Sequence, residues 1–363
     1  MSVPTSRRAL LAGGAVVLAG LEPALAQSPP DHLAPKATAD AALAGPLHTV
    51  TIITPDMAGL AKMYRDGLGL DLIGPLNLDP PTRSALSQHW GLPVDLLWQL
   101  HLFRRTKVKT ATLVRVLVTN RPTPPIRQSW NRQELGPYGM GFPNTDVVTW
   151  DTHVRGLGFT RATDEIERFP LKAADGTGYD VLEATFNGPE YLRSIAISRG
   201  GGMAQVGTVD PDTGRGGPAY ATQVLADAGM DAMIAFFTDV LDFEVRSDRV
   251  WRAYAIPFRF ATVHAKGSDT GHVALASYAP EHVAPGTGNA PRPPHRGMAM
   301  WSFPVKNIED IAERARSKGL APASATIEID TPDLGPRRTT TYRAPNGFLI
   351  EVFEPRDAVR QRR

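Results

Sequence analysis

Apolar residues recur along this chain at two spacings, and the two spacings alternate. Over DMAGLAKMYRDGLGLDL (56–72), the residues Met57, Leu60, Ala61, Tyr64 and Leu68 fall at the offsets of an amphipathic helix stripe. GMDAMIAFFTDVLDFEV (229–245) aligns with it without a gap, and Met230, Met233, Ile234, Phe237 and Leu241 repeat the same spacing. Each helical stretch follows a short β-branched or apolar run, HTVTIIT (48–54) and TQVLAD (222–227).

Two weaker copies carry the same order. YGMGFPNTDVVTWDTHVRGLGF (138–159) reads as strand, turn, helix and glycine stop. GMAMWSFPVKNIEDIAERARSKGL (297–320) does the same, with Ile308, Ile311, Ala312 and Ala315 on one face and Gly319 as the C-cap. Alternating segments follow each helix: WRAYAIPFRFATVHA (251–265) and GHVALASY (271–278) in the third copy, ASATIEID (323–330), RRTTTYRAP (337–345) and FLIEVFE (348–354) in the fourth. The pattern predicts an α+β chain of four strand–helix–three-strand units. Pro- and Gly-rich stretches at 119–136, 199–218 and 279–297 separate the units, and GGGMAQVGTVDPDTGRGGP (200–218) marks the main boundary. The expected layout is a first two-unit domain at 45–199, a linker at 200–216, a second two-unit domain at 217–356 and a tail at 357–363. An insertion in the first unit, DPPTRSALSQHWGLP (79–93), predicts a short helix over one rim.

The N-terminus changes the picture. SRRALLAGGAVVLAGLEPALAQ has two arginines, a short apolar run and Ala24-Leu25-Ala26 before Gln27, which predicts a signal peptide over residues 1–26 and a loose leader over 27–44. Arg7-Arg8 followed by Leu10-Leu11 resembles a twin-arginine signal, with an ordinary secretory signal as the alternative. The expectation is a periplasmic or secreted protein with no membrane association after cleavage. Charge is nearly balanced over 363 residues, so neither nucleic acid nor an anionic membrane is an expected partner. The absence of cysteine excludes thiol nucleophiles, disulfides, iron–sulfur clusters and thiolate zinc sites.

AKMYRDGLGLDL, IAFFTDVLDFEV and YRAPNGFLIEVFEP resemble the βαβββ modules of the vicinal oxygen chelate superfamily, which includes glyoxalase I, extradiol dioxygenases and bleomycin-resistance proteins. The resemblance spans residues 45–355. It implies four βαβββ modules forming two open curved β-barrels, helices outside and a pocket on each concave face. In metal-dependent members it implies a divalent ion held by first and last strands, acting as a Lewis acid. Glu351, following the Asn346-Gly347 turn, matches the family's last-strand ligand. The first-strand positions hold Gly139, Met300, Thr49 and Thr222, while His48 and Gln223 lie one residue away. A slip of one residue turns a side chain to the opposite face. The resemblance therefore implies an incomplete site for iron, manganese, zinc or nickel, with Glu351 and Gln223 as ligand candidates. The alternative for Glu351 is an ion pair with Arg337, Arg338 or Arg343.

Glu351, His264 and His272 are the candidate catalytic residues; Tyr254, Arg259 and Trp301 are the candidate pocket residues. Modules pair in sequence order by default, with one-to-four pairing as the alternative. Two functions stay open: an exported lyase, isomerase or ring-cleaving dioxygenase acting on a small organic molecule, or a non-catalytic protein that sequesters one. The chain is expected to be a monomer or homodimer.

Overall fold

The computed structural model describes residues 42–108, 111–173, 176–252 and 255–355. The expected signal peptide and the tail at 357–363 lie outside the described residues, as do all but the last three residues of the expected leader.

Each unit folds as its periodicity predicts. The first is β1 (Thr49–Thr54), α1 (Met57–Ala61, continuing through π-type turns to Gly67), β2 (Asp71–Leu76), the inserted α2 (Pro80–Trp90), β3 (Trp98–Arg104) and β4 (Leu113–Thr119). The second is β5 (Gly136–Pro143), α3 (Val147–Gly156), β6 (Glu167–Lys172), β7 (Gly178–Asn187) and β8 (Arg193–Arg199). The third is β9 (Tyr220–Ala226), α4 (Asp227–Ala235, continuing to Val240), β10 (Glu244–Trp251), β11 (Phe258–His264) and β12 (His272–Tyr278). The fourth is β13 (Gly297–Pro304), α5 (Ile308–Ser317), β14 (Pro322–Ile329), β15 (Arg337–Arg343) and β16 (Leu349–Pro355). Helix starts follow local chemistry. Asp56, Asp79, Asp146 and Asn307 each accept a backbone N–H of the first turn, and Pro80 opens α2.

The strands form two eight-stranded sheets, but not from sequential halves. The first sheet runs β14-β15-β16-β13-β1-β4-β3-β2 and joins units one and four; the second runs β10-β11-β12-β9-β5-β8-β7-β6 and joins units two and three. The expected domains 45–199 and 217–356 therefore each give one module to each sheet. The seams are antiparallel, β1 against β13 and β5 against β9. The segment 200–216 is accordingly a loop within the second sheet's module pair, tied down by Gly216 N–H donating to Pro143 O at 2.8 Å. The passages between sheets run through 119–136 and 279–297. Glycine and proline mark all three loops alike, so composition does not tell a crossover from a hairpin-like connection.

Sequential units meet instead through their helices. Trp150 of α3 donates its indole N–H to Gly67 O at 2.9 Å, and Arg314 of α5 donates to Asp239 O at 3.1 Å. One buried core unites the helix-bearing faces of both sheets, from Val50 and Ile52 to Met140, Phe142 and Phe303. The opposite, inner faces carry separate clusters, around Trp90, Trp98 and Leu117 in the first sheet and around Tyr138, Ile195, Tyr220 and Phe258 in the second.

A close approach fixes one position on the second inner face. A Cβ at Gly141 would lie 1.6 Å from Tyr220 Cζ, so the tyrosine ring lies across the bare glycine. Gly156, at the end of α3, has no such neighbour. Gly141→Ala is expected to destabilise the protein by about 1–3 kcal/mol through overpacking, while Gly156→Ala is neutral or stabilising by up to about 1 kcal/mol. Denaturant unfolding of the two variants against the parent checks this contrast.

Candidate functional site

The inner face of the first sheet centres on Glu351. Its strand reads LIEVFEP, and alternation aims Ile350 and Val352 at the helices and Glu351 inward. The carboxylate is fully buried. Its Oε2 accepts from Ser302 Oγ at 2.6 Å and from Arg115 Nη1 at 3.0 Å; its Oε1 accepts from Trp90 Nε1 at 3.1 Å, with Thr339 Oγ1 at 3.3 Å. Arg115, on β4, is also fully buried and donates through Nε to Asp333 Oδ2 at 2.8 Å. Its guanidinium lies 5.0 Å from the centre of the Trp90 ring. Thr331 Oγ1 donates to Asp333 Oδ1 at 2.5 Å, and Arg337 donates to that hydroxyl, also at 2.5 Å. The result is a continuous buried chain from Arg337 to Glu351.

Two cations beside it hold Glu351 far below the usual carboxylate range, against the opposing effect of burial. His48 is pushed down to about 4, first by burial and then by the Arg115 charge. Helix α2 covers this face: Trp90 reaches Glu351, and His89 Nδ1 lies 3.0 Å from Ser324 Oγ on β14. The inserted helix thus lies over the inner face itself.

This geometry corrects the expected metal site. Glu351 meets a guanidinium from the facing module, and the arginine is Arg115 rather than Arg337, Arg338 or Arg343. Gln223 belongs to the other sheet, where its Oε1 accepts from Asn346 Nδ2 at 2.9 Å. A divalent ion would have to displace Arg115 from a carboxylate whose two oxygens already have donors. The donor set does not fit a metal, and among the described residues no group of three or more His, Cys, Asp or Glu is placed to hold one.

The inner face of the second sheet has a different character. Register places Ile195 there where Glu351 stands in the first sheet, with Arg193 two residues earlier on the same face: Met300 pairs with Leu349 and Ser302 with Glu351, as Gly139 pairs with Arg193 and Gly141 with Ile195. Arg193 donates to Trp130 O and sits 5.7 Å from the Tyr138 ring centre, while its Nε and Nη1 have no partner. On β6 and β7, Glu167 and Glu183 are direct cross-strand partners. Glu183 is fully buried and accepts from Thr185 Oγ1 at 3.1 Å; its Oε2, and Glu167 Oε2, have no partner. Burial lifts the Glu167 carboxyl to about 7, with Arg132 and Arg193 opposing; burial and the Glu167 charge raise Glu183 well above the usual range. The Tyr220 hydroxyl is buried without a partner, and its ionisation is suppressed by burial and then by Glu183. Beside it His272 stacks at 5.0 Å, and His264 stacks on His272 at 4.4 Å. Burial drives both imidazoles down, His264 to about 3, so both are neutral at pH 7.

The sequence candidates are therefore dispersed. His264 and His272 come together on the second inner face, but Glu351 lies in the other sheet. Arg259 faces away from that inner face and pairs with Asp248 and Asp231, each at 2.7 Å. Trp301 is in the central core, edge-on to Phe348, with its N–H on Met298 Sδ. Tyr254 lies outside the described residues. Arg115, Asp333, Glu167 and Glu183 were missed. Arg115 had a signal: TLVRVLV carries one cation inside an apolar strand, as FLIEVFE carries an anion.

Comparison with known proteins agrees with this architecture. Residues 220–352 match the family described as Glyoxalase/Bleomycin resistance protein/Dioxygenase superfamily. A glyoxalase I variant from Zea mays superposes with a TM-score of 0.58 at 12% identity, covering 89% of this chain and 98% of that one. A putative dioxygenase from Bacillus subtilis superposes with a TM-score of 0.54 at 17% identity, covering 86% of each chain. Identities this low speak to the fold alone. No curated protein matches the sequence.

Arg115→Met is expected to cost about 3–5 kcal/mol, because it strands two buried carboxylates, and Arg115→Met/Glu351→Met is expected to recover part of that loss. Denaturant midpoints of the single and double variants measure the coupling. The buried imidazoles set an acid limit. Below about pH 6.5 the unfolded chain takes up protons that His48 and His264 refuse until about pH 4 and 3, so stability falls as pH drops through this window. His264→Gln is expected to flatten the fall in a thermal-unfolding series across pH.

Proposed function

We propose that this chain, which carries a glyoxalase/bleomycin resistance/dioxygenase superfamily domain over residues 220–352, is an exported protein that binds a small organic molecule on the inner face of its second sheet without a metal ion. In this reading the first sheet is structural. Its central carboxylate is saturated by Arg115, Ser302 and Trp90, and α2 covers it.

One contrast carries the reading. On the first face the Glu351 carboxylate has a donor on each oxygen and the buried atoms left without partners are nitrogens of Arg115, Arg337 and His89, whereas on the second face acceptor and hydroxyl oxygens are left so: Tyr220 Oη, Glu183 Oε2 and Thr262 Oγ1. Such atoms cost free energy where they stand and are expected to meet a ligand or ordered water. Tyr138, Phe258, Phe260 and Tyr278 provide apolar wall around them. A concave apolar surface with a few convergent polar groups is the general form of a small-molecule site.

Tyr220→Phe removes an unpartnered hydroxyl. It is expected to leave the unliganded melting temperature unchanged or raised, and to weaken by roughly tenfold any ligand found in a thermal-shift screen of small organic compounds. A ligand that binds Tyr220→Phe as tightly as the parent but is lost when α2 is altered at Trp90 would move the site to the first sheet. Export rests on the sequence of residues 1–26. The mature protein is expected to begin at Gln27 by N-terminal sequencing, and Arg7→Lys/Arg8→Lys is expected to leave the uncleaved precursor in the cell.

A further inference from the structure

Like charges directly opposite on neighbouring strands repel, and a carboxylate buried with one neutral donor is poorly compensated. Glu167 and Glu183 combine both conditions: they are cross-strand partners on the inner face, and the described donor to Glu183 is the Thr185 hydroxyl. Two carboxyl groups so placed relieve the conflict by holding one proton between them. Their neighbours divide the roles. Glu167 is half-buried and faces the Arg132 and Arg193 cations, which favour its ionised form. Glu183 is fully buried, with Glu167, Thr185 and Tyr220 around it and, among the described residues, no cation acting on it.

We propose that Glu167 and Glu183 form a carboxylate–carboxylic acid pair that transfers protons to and from a small enolisable aromatic carbonyl compound bound on the second inner face. The inference rests on the reading of that face as the ligand site. The aromatic ring of the ligand packs among Tyr138, Phe258 and Tyr278, whose side chains belong to one buried cluster. The free Nε–H and Nη1–H of Arg193 are available to oxygen that gains negative charge.

The step balances without a co-reactant. The Glu167 carboxylate takes the proton from the carbon next to the carbonyl, and the C–H electron pair becomes the C=C bond of the enol. The carbonyl π pair moves to oxygen, which takes the proton held by Glu183. Return of the Glu167 proton, or of a solvent-exchanged deuteron in its place, to the same carbon, with loss of the O–H proton to Glu183, regenerates the ketone. The pair starts and ends with one proton.

Two measurements on the mature protein test this. The first is a pH titration of glutamate labelled with carbon-13 at the carboxyl, read by NMR, with Glu183→Gln and Glu167→Gln to assign the signals. One carboxyl of the pair is expected to stay protonated above pH 6, and each single variant is expected to return the survivor toward the ordinary carboxylate range. Both carboxyls ionised at pH 6 would overturn the proposal. The second follows deuterium incorporation from heavy water into 2-hydroxyacetophenone. The parent is expected to accelerate exchange at least about a hundredfold over buffer, and both glutamine variants to lose it. A protonated pair with no acceleration would overturn the proton-transfer role. If the probe raises the parent's melting temperature but not that of Tyr220→Phe, and exchange is still absent, the binding reading survives and only this inference fails.

Discussion

A guanidinium and a carboxylate, each fully buried and each isolated in an apolar strand, dictate how this chain is assembled. Arg115 sits mid-strand in the last strand of the first unit, and Glu351 in the last strand of the fourth. Neither is tolerable in the interior alone, since an unpaired buried charge costs several kcal/mol even after relaxation, roughly the stability margin of a domain. They meet only if unit one pairs with unit four across the β1–β13 seam. Units two and three are then left to pair with each other, and the chain must cross between sheets at 119–136 and 279–297. The ion pair does not show that it adds net stability. It makes alternative pairings costly, which is specificity rather than strength.

The same pair explains why the two inner faces have diverged. In the first sheet the fixed cation of Arg115 occupies the neighbourhood of the carboxylate that the family resemblance marks as a metal ligand, and α2 lies over the result through Trp90. In the second sheet the corresponding register position is the apolar Ile195, Arg193 two residues earlier is a cation with free donors, and the carboxylates stand on β6 and β7 instead. On one face the central carboxylate has donors on both oxygens, and on the other Glu167 and Glu183 each keep an oxygen without one. Duplicated modules have kept the backbone pattern and traded the chemistry.

Much of this architecture is legible in the sequence. The helix stripes beginning at Met57 and Met230, the strand periodicities and the glycine stops located every unit, because burial of one face imposes those spacings on each module independently. Module pairing was not legible from periodicity, since each unit presents the same stripe to any partner. The clue lay in charge: TLVRVLV and FLIEVFE are complementary, and reading them together points to the one-to-four pairing. Glu167 and Glu183 were missed for another reason. The family resemblance directs attention to first and last strands, whereas these residues lie on the two strands between, where alternation alone makes a charge look like an outward-facing residue. Trp301 and Arg259 show the converse limit, because alternation predicts two faces but not which of them is the pocket.

The central claim is that Glu351 is matched to Arg115 and not to an ion. The direct measurement is elemental analysis of the mature protein produced with iron, manganese, nickel and zinc supplied, alongside Glu351→Ala. The account predicts no stoichiometric metal in the parent and no change in melting temperature when any of the four is added. One metal ion per chain, lost in Glu351→Ala, would contradict it.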